Sequence, residues 1–268
     1  MLEIVAHRGM HEDVPENTMA AFERAISLGA DAVEMDVRLT SDHVPVVYHY
    51  FYLPEGSGLQ GCVFDHDWSS LTIAQERSLP TRRNRIPLLR EAVDALAGRI
   101  GLVIEIKGPE PECIEAISTV LEDYSACWDS MELTSYEPAL LLAMRERCPG
   151  LARDLLLPRS ESWMNLDVVT HQARHRGRLA RARAVHLHPT QVAAEVLTTL
   201  RSSGLDIHVW DTNCEETLEQ LCALGIRRVC TDSVPMALEY RRRAFPACAG
   251  KVAAGGRSAS DREEHDEQ

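Results

Sequence analysis

Residues 101–107 read Gly-Leu-Val-Ile-Glu-Ile-Lys, a short β-branched apolar run that ends in a glutamate and a lysine. Such a run predicts a buried strand. Residues 32–37, Ala-Val-Glu-Met-Asp-Val, repeat the pattern, with Glu34 and Asp36 spaced two positions apart as Glu105 and Lys107 are. Side chains two apart on a strand share a face, so the charged groups of both strands can converge on one spot.

Runs of this kind alternate with helical patterns along most of the chain. We predict strands at residues 2–7, 32–37, 101–107, 131–135, 152–157, 184–188, 206–211 and 227–232. Eight strands with helical crossovers in about 235 residues predict an α/β fold, a (β/α)8 TIM-type barrel. The alternative is a doubly wound open sheet, which usually has a glycine-rich turn after its first strand, where this chain has Gly9 alone.

One segment interrupts the alternation. The strand-like run 44–50 follows the second strand too closely for a parallel crossover, which needs roughly a dozen residues. We therefore predict a hairpin arm or extended loop there, within an insertion over the C-terminal mouth after the second strand (about residues 38–80). The predicted domains are a barrel over 1–248 and a disordered tail over 249–268. The tail is rich in Gly, Ser, Ala and charged residues and has no periodic apolar pattern.

Helix-terminus residues support this alternation. Pro15 and Asn17 predict the start of the first helix, and Gly29 predicts its end. Asn213 similarly predicts the N-cap of a helix over residues 215–224.

Composition excludes several classes of protein. The net charge of −13 opposes binding to nucleic acid or to an anionic membrane. No apolar stretch approaches the roughly 18 residues of a membrane span, and the start shows no signal-peptide pattern, so we predict a cytoplasmic protein without membrane insertion. The eight cysteines form no C-x-x-C pair, which argues against a cysteine zinc site and fits reduced thiols. The sequence does not determine the oligomeric state.

Candidate site residues fall at or beside the predicted strand ends, where the active sites of (β/α)8 barrels lie. Glu34, Asp36 and Glu105 would repel one another and would be costly to desolvate unless a cation lay among them. Oxygen ligands without cysteine favour Mg²⁺ or Ca²⁺ over zinc. The alternative is that these acids form salt bridges at the barrel rim.

Histidines and basic residues complete the predicted site. His7 at a strand end and His49 on the loop over the same mouth suit general acid–base chemistry. Arg8 and Lys107 would offset the charge of a small anionic substrate, Arg8 by contacting two phosphate oxygens and Lys107 as a point charge. The alternative for Lys107 is pairing with Glu105 or Asp36 alone, and the two interpretations are compatible.

Three other ring side chains lie on or beside predicted strands. Trp210 lies at the rim of the barrel, where it can wall a pocket or pack in the core. His186 and His188 share a face of one predicted strand, and we interpret both as packed residues.

Seven ordered motifs together resemble the glycerophosphodiester phosphodiesterase family, from residue 6 to about residue 236. They are His-Arg-Gly (7–9), Pro-Glu-Asn-Thr (15–18), Gly-Ala-Asp-x-x-Glu-x-Asp-Val (29–37), Pro-Val-Val-x-His (45–49), Ile-Glu-Ile-Lys (104–107), Ile-x-x-Trp (207–210) and Thr-Asp (231–232). The resemblance implies a TIM-type barrel that hydrolyses phosphodiesters with a divalent cation. It implies metal ligands at Glu34, Asp36 and Glu105, an acid–base pair at His7 and His49, phosphate contacts at Arg8 and Lys107, and a pocket wall at Trp210.

The chain departs from this family in the loop that carries His49. Tyr50 stands where the family has an aspartate, and Pro54-Glu55 stands near the place of its Asp-Arg pair. Because a tyrosine cannot act as a carboxylate at neutral pH, this loop is built differently. The difference bears on the substrate more than on the reaction.

The predicted function is a metal-dependent phosphodiesterase that hydrolyses a small glycerophosphodiester to a phosphate monoester and an alcohol by His/His acid–base catalysis. One alternative is a phosphodiesterase for an unusual sugar phosphodiester of the agrocinopine type. Another is a catalytically inactive barrel that binds a phosphate ligand. A related lyase that releases a cyclic phosphate from a lipid is disfavoured, because no secretion signal or apolar membrane-binding stretch is evident.

Overall fold

The computed structural model describes residues 1–54, 58–78 and 84–246, so the predicted tail lies outside the described residues. The strands are β1 (Glu3–Ala6), β2 (Ala32–Leu39), β3 (Pro45–Val47), β4 (Gly101–Ile106), β5 (Met131–Ser135), β6 (Ala152–Leu156), β7 (Ala184–Leu187), β8 (Asp206–Val209) and β9 (Arg228–Thr231). The helices are α1 (Met19–Leu28), α2 (Trp68–Ser78), α3 (Leu89–Leu96), α4 (Cys113–Glu122), α5 (Pro138–Arg147), α6 (Leu166–Ala180), α7 (Ala194–Ser202), α8 (Glu215–Ala223) and α9 (Val234–Ala244).

Eight of the strands close into a parallel barrel. Their order is β1-β9-β8-β7-β6-β5-β4-β2, and parallel pairing between β1 and β2 joins the two ends. The (β/α)8 prediction is therefore confirmed, and the open-sheet alternative is wrong. Each barrel strand begins and ends within two residues of its predicted bounds.

Alternation along each strand decides which side chains enter the barrel. On β2, Val33, Met35 and Val37 belong to the main core between sheet and helices. Ala32 on the same strand instead packs inside the barrel with Val5, Val103 and Cys230. The partly buried Trp210 packs against this group. Because side chains alternate between faces, the acidic residues of β2 and β4 must also point inward.

The first helix begins later than the sequence predicts. Thr18 is its N-cap, and the Thr18 side chain accepts a hydrogen bond from the Ala21 N–H. Asn17 does not cap the helix, because its side chain is bonded to Asp36 on β2. Gly29 ends the helix with φ 89°, as predicted, in the left-handed conformation that glycine adopts without strain.

The short strand β3 pairs antiparallel with the end of β2, which agrees with the hairpin expected from the short spacing. The segment that follows has a small core of its own, in which Val46, Val63 and Leu71 are buried. Residues 55–57 and 79–83 of this segment lie outside the described residues. The position of the whole insertion over the mouth stays a prediction.

No helix in the described part of the chain combines the length and the apolar character that crossing a membrane requires.

Candidate active site

A cavity of about 270 Å³ opens at the C-terminal ends of the barrel strands. The sequence-predicted residues that line it are His7, Arg8, Glu34, His49, Glu105, Lys107 and Trp210. Asp36 is fully buried beside it, in contact with Arg8 and Lys107. Residues from β1, β2, β4 and β8, together with the loop after β3, thus meet at one place.

Three carboxylates and two basic groups form the floor of this mouth. Lys107 Nζ lies 2.9 Å from Asp36 Oδ1 and 2.7 Å from Glu105 Oε1. Arg8 Nε lies 3.2 Å from Asp36 Oδ2. One oxygen from each of Glu34, Asp36 and Glu105 lies within 4.8 Å of the others. With all groups ionised, the acids exceed the two bases by one charge, so a divalent cation would make the mouth attractive to a monoanionic diester.

The pKa values of these acids show the cost of burying them together. Burial, Asp36 and Glu105 raise the pKa of Glu34 well above its ordinary value. Burial and then Asp36 raise the pKa of Glu105 to about 7. Burial opposes ionisation of Asp36 as well, but Lys107 and Arg8 hold its pKa at about 2. A cation among the three groups would favour the ionised forms, so this all-oxygen donor set fits a hard divalent ion.

The turn after β1 is shaped to hold the acids. Arg8 and Asn17 both adopt the left-handed conformation, each with φ 55°. In that conformation the Arg8 N–H donates to Glu34 Oε2 at 2.9 Å, and Asn17 Nδ2 donates to Asp36 Oδ2 at 2.7 Å. Non-glycine residues in this region carry a strain of about 1–2 kcal/mol, which persists where surrounding contacts fix the backbone.

His7 is oriented by Asp232, a residue to which the sequence analysis assigns no role. Nδ1 of His7 lies 2.7 Å from Asp232 Oδ1, and Nε2 of His11 lies 3.1 Å from the same oxygen. Asn213 donates to Asp232 Oδ2 at 2.9 Å, so it does not cap α8 as predicted; Cys214 is the N-cap. Burial opposes ionisation of Asp232, but hydrogen bonds from both histidines lower its pKa. Two signals could have found Asp232: it belongs to the Thr-Asp motif at 231–232, and it directly follows the strand that pairs with β1.

His49 lies on the loop after β3 and lines the same cavity as His7. Arg38 Nε donates to the His49 carbonyl oxygen at 3.0 Å, which fixes the backbone there. Burial, Lys107, Arg8 and His7 lower the pKa of His49 to about 4, with only Asp36 opposing them. The His49 ring is therefore neutral at pH 7. Tyr50 is half-exposed and places its ring edge-on to His49, with the centroids 4.8 Å apart.

The remaining predicted residues are placed as follows. Arg8 is engaged by Glu16, since its Nη1 donates at 3.0 Å to both Glu16 oxygens, so an anionic ligand would share this guanidinium with Glu16. Trp210 walls the cavity just beyond the end of β8, and its ring centroid lies 5.7 Å from that of His188.

A second cavity of about 460 Å³ adjoins the first. The two cavities share His49, and apolar residues of the segment after β3, such as Leu53, Leu59 and Leu71, line the second one. A molecule that leaves the first cavity past His49 would meet this apolar space.

Comparison with known proteins agrees with this geometry. The profile of the "Glycerophosphoryl diester phosphodiesterase family" matches residues 7–236. A glycerophosphodiester phosphodiesterase of Caldanaerobacter subterraneus is 28% identical over 240 residues, covering 85% of this chain and 93% of the relative. A glycerophosphodiester phosphodiesterase of Bacillus altitudinis is 27% identical over 255 residues, covering 90% of this chain and 98% of the relative.

Solved structures give the same result. The glycerophosphodiester phosphodiesterase of Thermotoga maritima is 27% identical, with a TM-score of 0.70 over 90% of this chain and 99% of that chain. An Oleispira antarctica phosphodiesterase in complex with the product sn-glycerol-3-phosphate shares the fold at 23% identity, with a TM-score of 0.74 over 89% of this chain and 96% of that one. The chain belongs to the glycerophosphoryl diester phosphodiesterase family and is a phosphoric diester hydrolase.

Proposed function

We propose that the protein hydrolyses a small glycerophosphodiester to a phosphate monoester and an alcohol, with a divalent cation and with His7 and His49 as the acid–base pair. The observation that carries the proposal is the single cavity lined by both histidines, two of the acids and both basic groups. A volume of about 270 Å³ suits a glycerophosphate unit. The product in the Oleispira antarctica structure, sn-glycerol-3-phosphate, is of this kind.

The proposed cation ligands are Glu34, Asp36 and Glu105, and the proposed ion is Mg²⁺ or Ca²⁺. Oxygen donors alone, from carboxylates on two neighbouring strands, are the ligands that these hard ions prefer. When bound, such an ion would neutralise phosphoryl charge and lower the pKa of a hydroxyl nucleophile. Lys107 holds Asp36 and Glu105 in place through ion pairs of 2.9 and 2.7 Å.

We assign the role of base to His49. Its lowered pKa keeps the ring neutral at pH 7, and Nδ1 is buried without a hydrogen-bond partner among the described residues. A neutral imidazole can take the proton of the attacking hydroxyl.

We assign the role of acid to His7. The Asp232 carboxylate, 2.7 Å from Nδ1, orients the ring and leaves Nε2 available to give a proton to the departing alkoxide. An alkoxide is a poor leaving group without such a proton.

The charge on the phosphoryl oxygens is met by Lys107 and Arg8. Both line the cavity, with side chains 12% and 14% exposed, so their interactions with a bound anion are only weakly screened. Trp210 then packs on the glycerol side of the ligand. The cytoplasm is the proposed location, in line with the seven free cysteines of the described residues.

The test is phosphate-monoester release from glycerophosphocholine, glycerophosphoethanolamine, a sugar–phospho–sugar diester and bis-p-nitrophenyl phosphate. Each is assayed with Mg²⁺, with Ca²⁺ and with EDTA, beside the His49→Ala variant. Metal-dependent turnover that His49→Ala abolishes supports the proposal. Folded, metal-binding protein without turnover on any diester would instead support an inactive ligand-binding barrel.

A sugar phosphodiester is the second candidate substrate. The exposed Tyr50 beside His49 favours it, because a ring at that position can stack on a sugar face where the related enzymes carry a carboxylate. Preference for the sugar–phospho–sugar diester, lost in Tyr50→Ala, would establish this alternative. Preference for the glycerophosphodiesters, unchanged in Tyr50→Ala, would exclude it.

A further inference from the structure

A second polar cluster lies inside the barrel, on strands β5 to β8. Glu132, Asp154, His186 and His208 come from four consecutive strands and are 3%, 0%, 6% and 7% exposed. One ligand-capable atom of each lies within 4.8 Å of the others. The interiors of such barrels are usually packed with branched apolar side chains. A buried group of two acids and two histidines is therefore unusual at this position.

Three of these atoms form a compact triangle. His186 Nε2 and His208 Nδ1 are 3.0 Å apart, His208 Nδ1 and Asp154 Oδ2 are 3.2 Å apart, and His186 Nε2 and Asp154 Oδ2 are 3.3 Å apart. Ligand atoms at about 2.0–2.1 Å from a tetrahedral Zn²⁺ lie roughly 3.3 Å from one another. The triangle therefore has nearly the dimensions of one face of a zinc coordination tetrahedron.

A fourth ligand is available from β5. Oε2 of Glu132 accepts a hydrogen bond from Arg183 and forms an ion pair with Arg228, but Oε1 is buried and has no hydrogen-bond partner among the described residues. A carboxylate oxygen buried without a partner costs about 1–3 kcal/mol or more, so it is retained where something else offsets the cost. A cation held by the triangle would offset it.

We propose that Asp154, His186 and His208, with Glu132 as a fourth donor, form a buried site for a borderline divalent metal such as Zn²⁺, separate from the oxygen-only site at the mouth. Two imidazoles and two carboxylates suit Zn²⁺ better than Mg²⁺ or Ca²⁺. His186 is buried, as the sequence predicts, and is bonded to both His208 and Asp154. The metal would cross-link β6, β7 and β8 beneath the substrate cavity.

An ion has a route to this site. His186, His208 and Arg228 line the same cavity of about 270 Å³ as His7 and Glu105, so the cavity extends from the mouth down to the cluster.

A bound metal would compete with Arg183 for the Asp154 carboxylate. Arg183 Nη2 lies 2.8 Å from Asp154 Oδ2, and the Arg183 side chain is 49% exposed. When a metal binds, this half-exposed guanidinium would turn to solvent and give up Asp154 Oδ2 together with Glu132 Oε2, to which the same Nη2 donates at 2.6 Å. Arg228, 15% exposed, would stay with Glu132.

The experiment uses Co²⁺ as a visible-absorbing substitute for Zn²⁺. Tetrahedral Co²⁺ with nitrogen ligands absorbs strongly in the visible range, whereas octahedral Co²⁺ at an oxygen-only site absorbs weakly. The full chain is titrated with Co²⁺ in the presence of excess Mg²⁺, and Zn²⁺ retained after dialysis is measured by elemental analysis. The variant is His186→Gln/His208→Asn, which keeps side-chain amides near the ring nitrogens, and the matched control is Glu34→Gln/Glu105→Gln at the mouth.

We expect one Zn²⁺ per wild-type chain and strong cobalt bands that persist in the mouth variant. We expect the cluster variant to lose the bands and to bind Zn²⁺ at least about 100-fold more weakly, a larger loss than is usual for outer-shell partners. If circular dichroism shows that the double variant is unfolded, His208→Asn alone is used for the comparison. Absence of the bands in wild type, their persistence in the cluster variant, or their loss only in the mouth variant would overturn the proposal.

A second variant tests the exchange of partners. Arg183→Gln should bind Zn²⁺ more tightly than wild type, because the competing guanidinium is removed from Asp154. Unchanged or weaker binding would contradict the proposed exchange.

Discussion

Replacing Asp232 by asparagine tests the assignment of His7 as the acid. The substitution removes the negative charge 2.7 Å from His7 Nδ1 while keeping the size of the side chain. A hydrogen bond to a charged group contributes about 1.5–3 kcal/mol. Asp232 is 37% exposed and shared with His11 and Asn213, so the lower value, about 1.5 kcal/mol, applies after solvent screening. This predicts a roughly tenfold loss of kcat/KM.

The assay compares two leaving groups. Choline is expelled from glycerophosphocholine as an alkoxide that needs a proton, whereas p-nitrophenolate leaves bis-p-nitrophenyl phosphate without one. We therefore expect Asp232→Asn to lose activity on glycerophosphocholine and to keep nearly all of its activity on the nitrophenyl ester. His11→Gln is the control, because His11 contacts the same Asp232 oxygen but does not line the cavity. An equal loss on both substrates would refute the assignment of His7.

Three further predictions concern stability and metal binding. Gly9→Ala should lower the free energy of unfolding by about 2 kcal/mol or more, measured by urea denaturation, because Gly9 has φ 80° and an added Cβ would lie 2.7 Å from the α1 backbone. Asn17→Ala should weaken binding of Mg²⁺ or Ca²⁺ in calorimetry and destabilise the protein by about 1–3 kcal/mol, since it removes the amide that pairs with Asp36; unchanged binding would count against the mouth site. The hydrogen bond to Asp232 raises the pKa of His11, so this pair should stabilise the fold fully below the unfolded histidine value of about 6.5, and the gain should be lost as pH rises through the folded pKa. Because the pKa of Asp232 is lowered, the stability that its ionised form contributes should be lost as pH falls below about 4. In thermal melts across this pH range, the melting temperatures of wild type and His11→Gln should converge at high pH.

The barrel could be predicted from the sequence because its strands are short apolar runs with period-two alternation. The same parity predicted that Glu34, Asp36 and Glu105 share one side of the sheet, and the structure places one oxygen of each within 4.8 Å of the others. Strand ends of a parallel barrel meet at one rim, so His7 could be placed there as well. The chemical roles of these residues stay predictions.

Other features depend on contacts that a single sequence does not display. Asn17 and Asn213 carry the usual signature of helix caps, but their amides bond to Asp36 and Asp232 instead, because tertiary partners outcompete the nearby helix ends. The cluster around Asp154 was missed for a related reason. Its members lie more than 20 residues apart along the chain and meet only when β5 to β8 align in register.

Metal-dependent hydrolysis is tested by ³¹P NMR of glycerophosphocholine with the wild-type protein, first with Mg²⁺ or Ca²⁺ and then with EDTA. We expect the resonance of a glycerol phosphate monoester to replace that of the diester, EDTA to stop the conversion, and His49→Ala to show none. Conversion that continues in EDTA, or a His49→Ala variant as active as wild type, would show that the reaction does not depend on the proposed cation and base.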